Sequence, residues 1–96
     1  MPAFLYVLCC ADGRYYVGTT PGALENRVAE HNAGQFGGFT AKRCPVALAF
    51  AQEFDRITDA IAAERQVKGW RREKKEALIA GDFSLLRQLS KRGGGP

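Results

Sequence analysis

The dipeptide Asp12-Gly13 does most to limit how this chain can fold, because it stands between two runs of β-prone residues. Residues 4–10 read Phe-Leu-Tyr-Val-Leu-Cys-Cys, and residues 15–19 read Tyr-Tyr-Val-Gly-Thr. Glycine accepts the positive φ that a tight hairpin demands, while aromatic and branched side chains suit a pleated surface. The segment therefore predicts an antiparallel hairpin. Strand alternation puts Tyr6 and Leu8 on one face of the first strand, and Tyr16 and Gly18 on one face of the second. With only 96 residues in the chain, the hairpin has to belong to one small domain with one modest core.

Past the hairpin the pattern becomes helical. Pro21 suits a first helical turn, with Thr20 as the candidate cap. Leu24, Val28 and Ala29 form an apolar stripe that Gly34 ends. Residues 34–44, rich in glycine and basic at their end, predict a loop. Residues 46–54 alternate as a third strand, with Val46, Leu48 and Phe50 on one side. From Thr58 a helix carries Ile61, Glu64, Arg65 and Lys68, and Trp70 closes it or opens the next. Residues 72–80 predict another helix, ended by Gly81. Asp82 and Ser84 are candidate caps for a last one bearing Leu85, Leu86 and Leu89. The expected order is β-β-α-β-α-α, an α+β fold with a small three-stranded antiparallel sheet flanked by helices. Residues 1–90 are assigned to that domain and residues 91–96 to a disordered tail.

Charge is distributed unevenly. Residues 1–63 hold five Lys/Arg and six Asp/Glu, whereas residues 64–96 hold nine and four. A basic segment on a small domain fits a polyanionic partner, most commonly nucleic acid; the plainer reading is a solvated face. Cys9, Cys10 and Cys44 are odd in number and two are adjacent, which is neither a disulfide framework nor a zinc spacing. Reduced thiols in the cytoplasm are expected. The first ten residues lack a basic leader region and a cleavage site, and no run approaches bilayer length, so no membrane association is expected.

Most small-enzyme templates are absent: there is no Gly-x-Ser-x-Gly elbow, Walker loop or Gly-x-Gly-x-x-Gly motif. What remains is a tyrosine-bearing hairpin followed by a helix with Arg27 and His31. Their four-residue spacing places them on nearly one helical face. A guanidinium clamps phosphate with two hydrogen bonds, and a neighbouring histidine moves protons near neutral pH. Taken alone, an Arg and a His on a helix are usually just its wet face, and aromatic residues on strands often simply pack. Glu64 lies beside Ala60, Ile61 and Ala63. A lone carboxylate with several waters is a normal magnesium site, but the same residue can simply pair with Lys68 one turn on.

In order, these residues resemble the GIY-YIG nuclease family, found in homing endonucleases and in the excision-repair nuclease UvrC. Leu5-Tyr6-Val7 stands in the place of the first signature tripeptide and Tyr16-Val17-Gly18 in that of the second. Arg27-x-x-x-His31-Asn32, Thr40 before a basic loop, Pro45 and Glu64-Arg65-Gln66-Val67-Lys68-x-Trp70 follow. The chain looks most like the small stand-alone bacterial branch, over residues 4–80. Two departures stand out: the first tripeptide is degenerate, and Phe39 replaces a tyrosine before Thr40, which removes a hydroxyl.

The resemblance implies a metal-dependent DNA endonuclease. Glu64 would hold one divalent ion, Mg²⁺ or Mn²⁺, and Arg27 would stabilise charge on the phosphate. Tyr16 is the first choice for general base or water-positioning group, Tyr6 would hydrogen-bond the water or the base, and His31 would relay the proton. Which of the three is the base stays open. Lys42, Arg43, Lys68, Arg71, Arg72, Lys74 and Lys75 would bind the DNA backbone without reading sequence. Repair relatives cut damaged or branched DNA and homing enzymes borrow specificity from extra domains. A single-domain chain is expected to act as a monomer, with low sequence specificity and a preference set by DNA structure or strandedness. A catalytically silent nucleic-acid-binding module is the alternative, and a protein-interaction scaffold a third reading.

Overall fold

Seven residues of β1 (Ala3–Cys9) run through the middle of the sheet, and four in succession, Leu5 to Leu8, are at most 2% exposed. A strand covered on both faces has no polar side, which is why its sequence is continuously apolar. The coordinates are a computed structural model that describes residues 2–35 and 38–92. β2 (Tyr15–Thr20) pairs antiparallel with one edge of β1, and β3 (Ala47–Phe54) pairs antiparallel with the other. The expected α+β class and three-stranded antiparallel sheet are both present.

The hairpin turn has the chemistry its sequence predicts. Gly13 N–H donates to the Cys10 carbonyl at 2.9 Å, and Cys10 N–H donates to the Arg14 carbonyl at 2.8 Å. Gly13 sits at φ 85°, and the Asp12 carboxylate accepts the Arg14 N–H at 3.1 Å. This is the three-residue hairpin loop in which glycine takes the left-handed position.

Among the described residues five helices surround the sheet: α1 (Leu24–Asn32), α2 (Gly38–Ala41), α3 (Ile57–Lys68), α4 (Arg72–Ala80) and α5 (Phe83–Arg92). On one face Leu5, Val7 and Val17 pack with Val67 of α3 and Leu78 of α4, joined by Phe50, Trp70 and Leu86. On the other, Tyr6, Leu8, Cys10 and Val46 pack with Tyr16 and with Leu24 and Val28 of α1. The Asn32 side chain ties the end of α1 to the start of β3: its carbonyl accepts the Val46 N–H at 2.7 Å and its amide donates to the Val46 carbonyl at 3.1 Å. Gly81 ends α4 in the left-handed conformation, and Asp82 caps α5 by accepting the Leu85 N–H. No helix of the described residues is long and apolar enough to cross a membrane.

The structure corrects four sequence expectations. The observed order is β-β-α-α-β-α-α-α: α2 forms inside the expected glycine-rich loop, and α5 is the expected last helix, which the expected order leaves out; Phe36 and Gly37 of that loop lie outside the described residues. Thr20 does not cap α1. It ends β2 and its hydroxyl accepts the Gly22 N–H, while Ala23 precedes the helix with no side-chain cap. Val46 and Phe50 do not share a face. A bulge between Val7 and Leu8 pairs Val7 with Phe50 but Leu8 with Leu48, and the extra residue turns Phe50 to the α3 side. Finally, α5 runs to Arg92, into the segment assigned to the tail; residues 93–96 lie outside the described residues.

Gly18 faces Tyr6 across the β1–β2 ladder, and a methyl group there would meet the Tyr6 hydroxyl at 2.6 Å and its ring at 2.7 Å. That ring is rigid and 2% exposed, so it has little room to yield. Gly18→Ala should therefore destabilise the fold by ~1–3 kcal/mol, the usual cost of overpacking. Urea denaturation checks this; unchanged stability would show that the ring has space to move.

Candidate active site

A buried chain of polar side chains lies between β1, α1 and α2. His31 projects from α1 and is 1% exposed. Its Nε2 is 3.0 Å from the Tyr6 hydroxyl and its Nδ1 is 2.8 Å from the Thr40 hydroxyl. A neutral imidazole offers one N–H and one lone pair, and a hydroxyl can meet either, so the ring is satisfied in both tautomers. Burial lowers the His31 pKa and the Arg27 charge lowers it further, with Glu30 opposing. Burial, and then Tyr16, push the Tyr6 phenol up to about 12. Both groups are thus neutral around pH 7.

Tyr16 completes the cluster from β2. Its ring centroid lies 4.9 Å from that of His31, 6.5 Å from Tyr6 and 6.0 Å from Phe39. Arg27 stands one helical turn before His31, with its Nε 3.6 Å from Glu30 Oε1. Together with Asn26, Glu30 and the β2–α1 connection it lines a cleft of about 210 Å³. The Tyr6 hydroxyl feels the charges of both Arg27 and Glu64.

Glu64 reaches β2 from the other face of the sheet. Its Oε1 accepts the Thr19 hydroxyl at 3.1 Å, and Thr19 pairs with Leu5, whose side chain belongs to the α3-side core. The Glu64 side chain is 17% exposed, and its Oε2 lies 2.9 Å from Lys68 Nζ. The i+4 pairing anticipated for this glutamate is therefore formed. Lys68 is half exposed, and an i,i+4 helical pair contributes only ~0.3–0.5 kcal/mol, so a divalent ion could displace the ammonium. No three His, Cys, Asp or Glu side chains gather among the described residues. The donor set is one hard, partly buried carboxylate, the ligand type of a largely hydrated Mg²⁺ or Mn²⁺.

The anticipated backbone-binding cations are spread over three elements. Lys42 is exposed after α2. Arg43 is the most committed: it donates to Asp12 at 2.9 Å and to the Phe39 carbonyl at 2.9 Å, and its guanidinium lies 4.0 Å above the Phe39 ring. Arg71 and Arg72 pair with Glu73 and Glu76 at 3.8 and 3.2 Å. Arg72 also covers Tyr15, Lys74 covers Trp70, and Lys75 lines a cavity with Arg14, Tyr15, Phe39 and Arg72.

The profile of the GIY-YIG catalytic domain matches residues 2–77. The chain belongs to the GIY-YIG family. The UPF0213 protein NP_0776A of Natronomonas pharaonis is 42% identical over 79 residues, which cover 82% of this chain and 92% of that protein. Among solved structures, the solution NMR structure of EF2693 from E. faecalis shares 36% identity at a TM-score of 0.59 and covers 88% of each chain. The solution NMR structure of the UPF0213 protein BH0048 from Bacillus halodurans shares 32% identity at a TM-score of 0.54, covering 83% of this chain and 84% of that one. This GIY-YIG chain is thus a member of a nuclease family.

Two partners escaped residue-by-residue reasoning. Thr40 appeared in the family pattern without a role, and Thr19 appeared only within the second strand. A threonine carries no signature of the group its hydroxyl will meet, so only the fold reveals either contact.

The depressed His31 pKa makes a stability forecast. The unfolded chain takes up the proton near pH 6.5 and the folded one only below that. Stability should be full above about pH 6.5 and decline as pH falls toward the folded pKa, by no more than about 1.4 kcal/mol per pH unit for one proton. His31→Gln should flatten this slope relative to wild type in urea titrations at pH 7.5, 6.5 and 5.5. Equal slopes would mean that His31 titrates alike folded and unfolded.

Proposed function

We propose that this protein is a divalent-metal-dependent DNA endonuclease of low sequence specificity, its choice of DNA governed by strandedness or structure. One observation carries the reading: Tyr6, Tyr16 and His31 form a single packed cluster, with Arg27 one helical turn before His31 and Glu64 bonded to Thr19 of the strand that carries Tyr16. The set supplies proton-transfer groups, a phosphate clamp and a metal-binding carboxylate, which are the residue types phosphodiester hydrolysis needs.

In the proposed reaction a water adds to phosphorus, the bond from phosphorus to the 3′-oxygen breaks, and that oxygen leaves as a hydroxyl. Glu64 would hold one Mg²⁺ or Mn²⁺, which when bound polarises the scissile phosphate. Arg27 opposes the negative charge that grows on phosphate in the adjoining cleft. Tyr16 positions the water or takes its proton. Phenols in general lose their proton at neutral pH only with help from nearby positive charge. Tyr6 retains its own proton and fixes the His31 ring, and His31 offers a relay for the proton that Tyr16 gives up. Lys42, Lys68, Arg71, Arg72, Lys74 and Lys75 attract the phosphate backbone, with Arg43 holding the β1–β2 turn to α2.

The catalytically silent nucleic-acid-binding module remains the second reading, favoured by the Lys68 ammonium that already occupies the Glu64 carboxylate. Incubation with labelled single-stranded, duplex and branched DNA in Mg²⁺, Mn²⁺ or EDTA separates the two. Cleavage that requires metal supports the enzyme; salt-sensitive binding without cleavage in any metal selects the silent module. Glu64→Gln should abolish cleavage yet keep DNA affinity within about twofold. Tyr16→Phe, which removes one hydroxyl, should slow single-turnover cleavage roughly 10²–10⁴-fold. Wild-type rates in either variant would remove that residue from the mechanism.

The basic helices generate a separate expectation. Replacing Arg71, Arg72, Lys74 and Lys75 by glutamate should weaken binding to all sequences alike. The salt dependence of the affinity should fall by about one unit for each phosphate that these side chains no longer neutralise. An unchanged salt slope would mark these residues as a solvated face.

A further inference from the structure

The cavity bounded by the end of the hairpin, α2 and α4 has a composition that the catalytic reading does not use. Its volume is about 340 Å³, and it is lined by Arg14, Tyr15, Phe39, Arg72 and Lys75. Two walls are therefore aromatic and three lining residues are cations, with no carboxylate among them. Phe39 is 37% exposed, although an aromatic ring on a surface gains nothing from water. One guanidinium already braces each ring, Arg43 over Phe39 at 4.0 Å and Arg72 over Tyr15 at 4.7 Å. The cavity also adjoins the catalytic cluster, since the Phe39 and Tyr16 rings lie 6.0 Å apart.

We infer that this slot stacks an unpaired nucleobase next to the scissile phosphate, so that the protein acts on single-stranded DNA. The inference rests on the endonuclease reading and deepens it by naming the form of the substrate. A base offers a flat apolar face only when it is not stacked within a duplex, and braced aromatic rings are the surface that takes such a face. Arg14, Arg72 and Lys75 then meet the phosphates on either side of the base. Because every base has the same kind of face, the contact is insensitive to sequence. Phe39, which lacks the hydroxyl of the expected tyrosine, serves here by its ring alone.

The test uses the full chain in EDTA, where binding is read without cleavage. The probe is a short DNA oligonucleotide carrying 2-aminopurine, presented as a single strand, as a blunt duplex and as an RNA strand of the same sequence. Wild type should bind the DNA single strand more tightly than the duplex and quench its fluorescence. Phe39→Ala should weaken single-strand binding roughly five- to one-hundred-fold and remove the quench, with duplex affinity within about twofold. Phe39→Trp should restore both. The truncation removes a ring beside Tyr16, and Arg43 keeps its bonds to Asp12 and to the Phe39 carbonyl; circular dichroism checks the fold. Equal losses on single strand and duplex, a quench that persists in Phe39→Ala, or a preference for RNA would each overturn the inference. If Phe39 governs single-strand binding but no metal supports cleavage, the endonuclease reading fails and the slot stands. If metal-dependent cleavage occurs and Phe39 affects neither affinity nor quench, the slot fails and the endonuclease reading stands.

Discussion

A polar ring buried without solvent has to find both of its hydrogen-bond partners inside the protein, and the fold on the α1 side is arranged around that demand. His31 meets Tyr6 from β1 and Thr40 from α2. Leaving either nitrogen unpaired would cost ~1–3 kcal/mol, a sizeable share of the stability of a small domain. A helix as short as α2 does not hold itself together. It is held by this junction, which Cys44 reinforces by donating its thiol to the Thr40 and His31 carbonyls. The position of Phe39, one residue before Thr40, follows from the same bond.

Much of the fold was legible in the sequence because its signals are local. Asp12-Gly13 marked the hairpin, Gly81 the end of α4, and Asp82 the start of α5. The bulge was not legible. Alternation within residues 46–54 describes the strand alone, whereas the extra residue that turns Phe50 to the opposite face is set by the partner strand. Thr20 shows a similar limit: a threonine before Pro21 fits a helix cap and an extended strand end equally, and the pairing with Phe4 decides it. In the candidate site, the residues with distinctive chemistry are proposed from type and spacing, and the Glu64–Lys68 pair followed from the helical repeat. Their separation onto the two faces of β2 was invisible, because it depends on which side of the sheet each helix packs.

The basic third of the chain is less bare than its composition implies. Arg71, Arg72 and Lys68 each stand beside a glutamate, and Lys74 lies 4.4 Å from the centre of the Trp70 ring. Pairs this exposed contribute little to folding, typically ~0–1 kcal/mol, and exchange partners readily. Their acidic members are fixed on the same helices, so the surface potential is patterned on the scale of a helical turn. A polyanion laid across it would compete with those carboxylates one contact at a time, and salt would weaken both interactions together.

The strand order β2-β1-β3 carries a consequence for the chain as it is made. β1 and β2 are neighbours in sequence and can pair as soon as residue 20 has been synthesised. The second edge of β1 waits for residues 47–54. Until then the most apolar strand of the protein presents open backbone donors and acceptors, the configuration that templates association with other chains. The interval is set by translation through α1 and the glycine-rich segment, which makes the length of that connection a determinant of how safely the nascent protein folds.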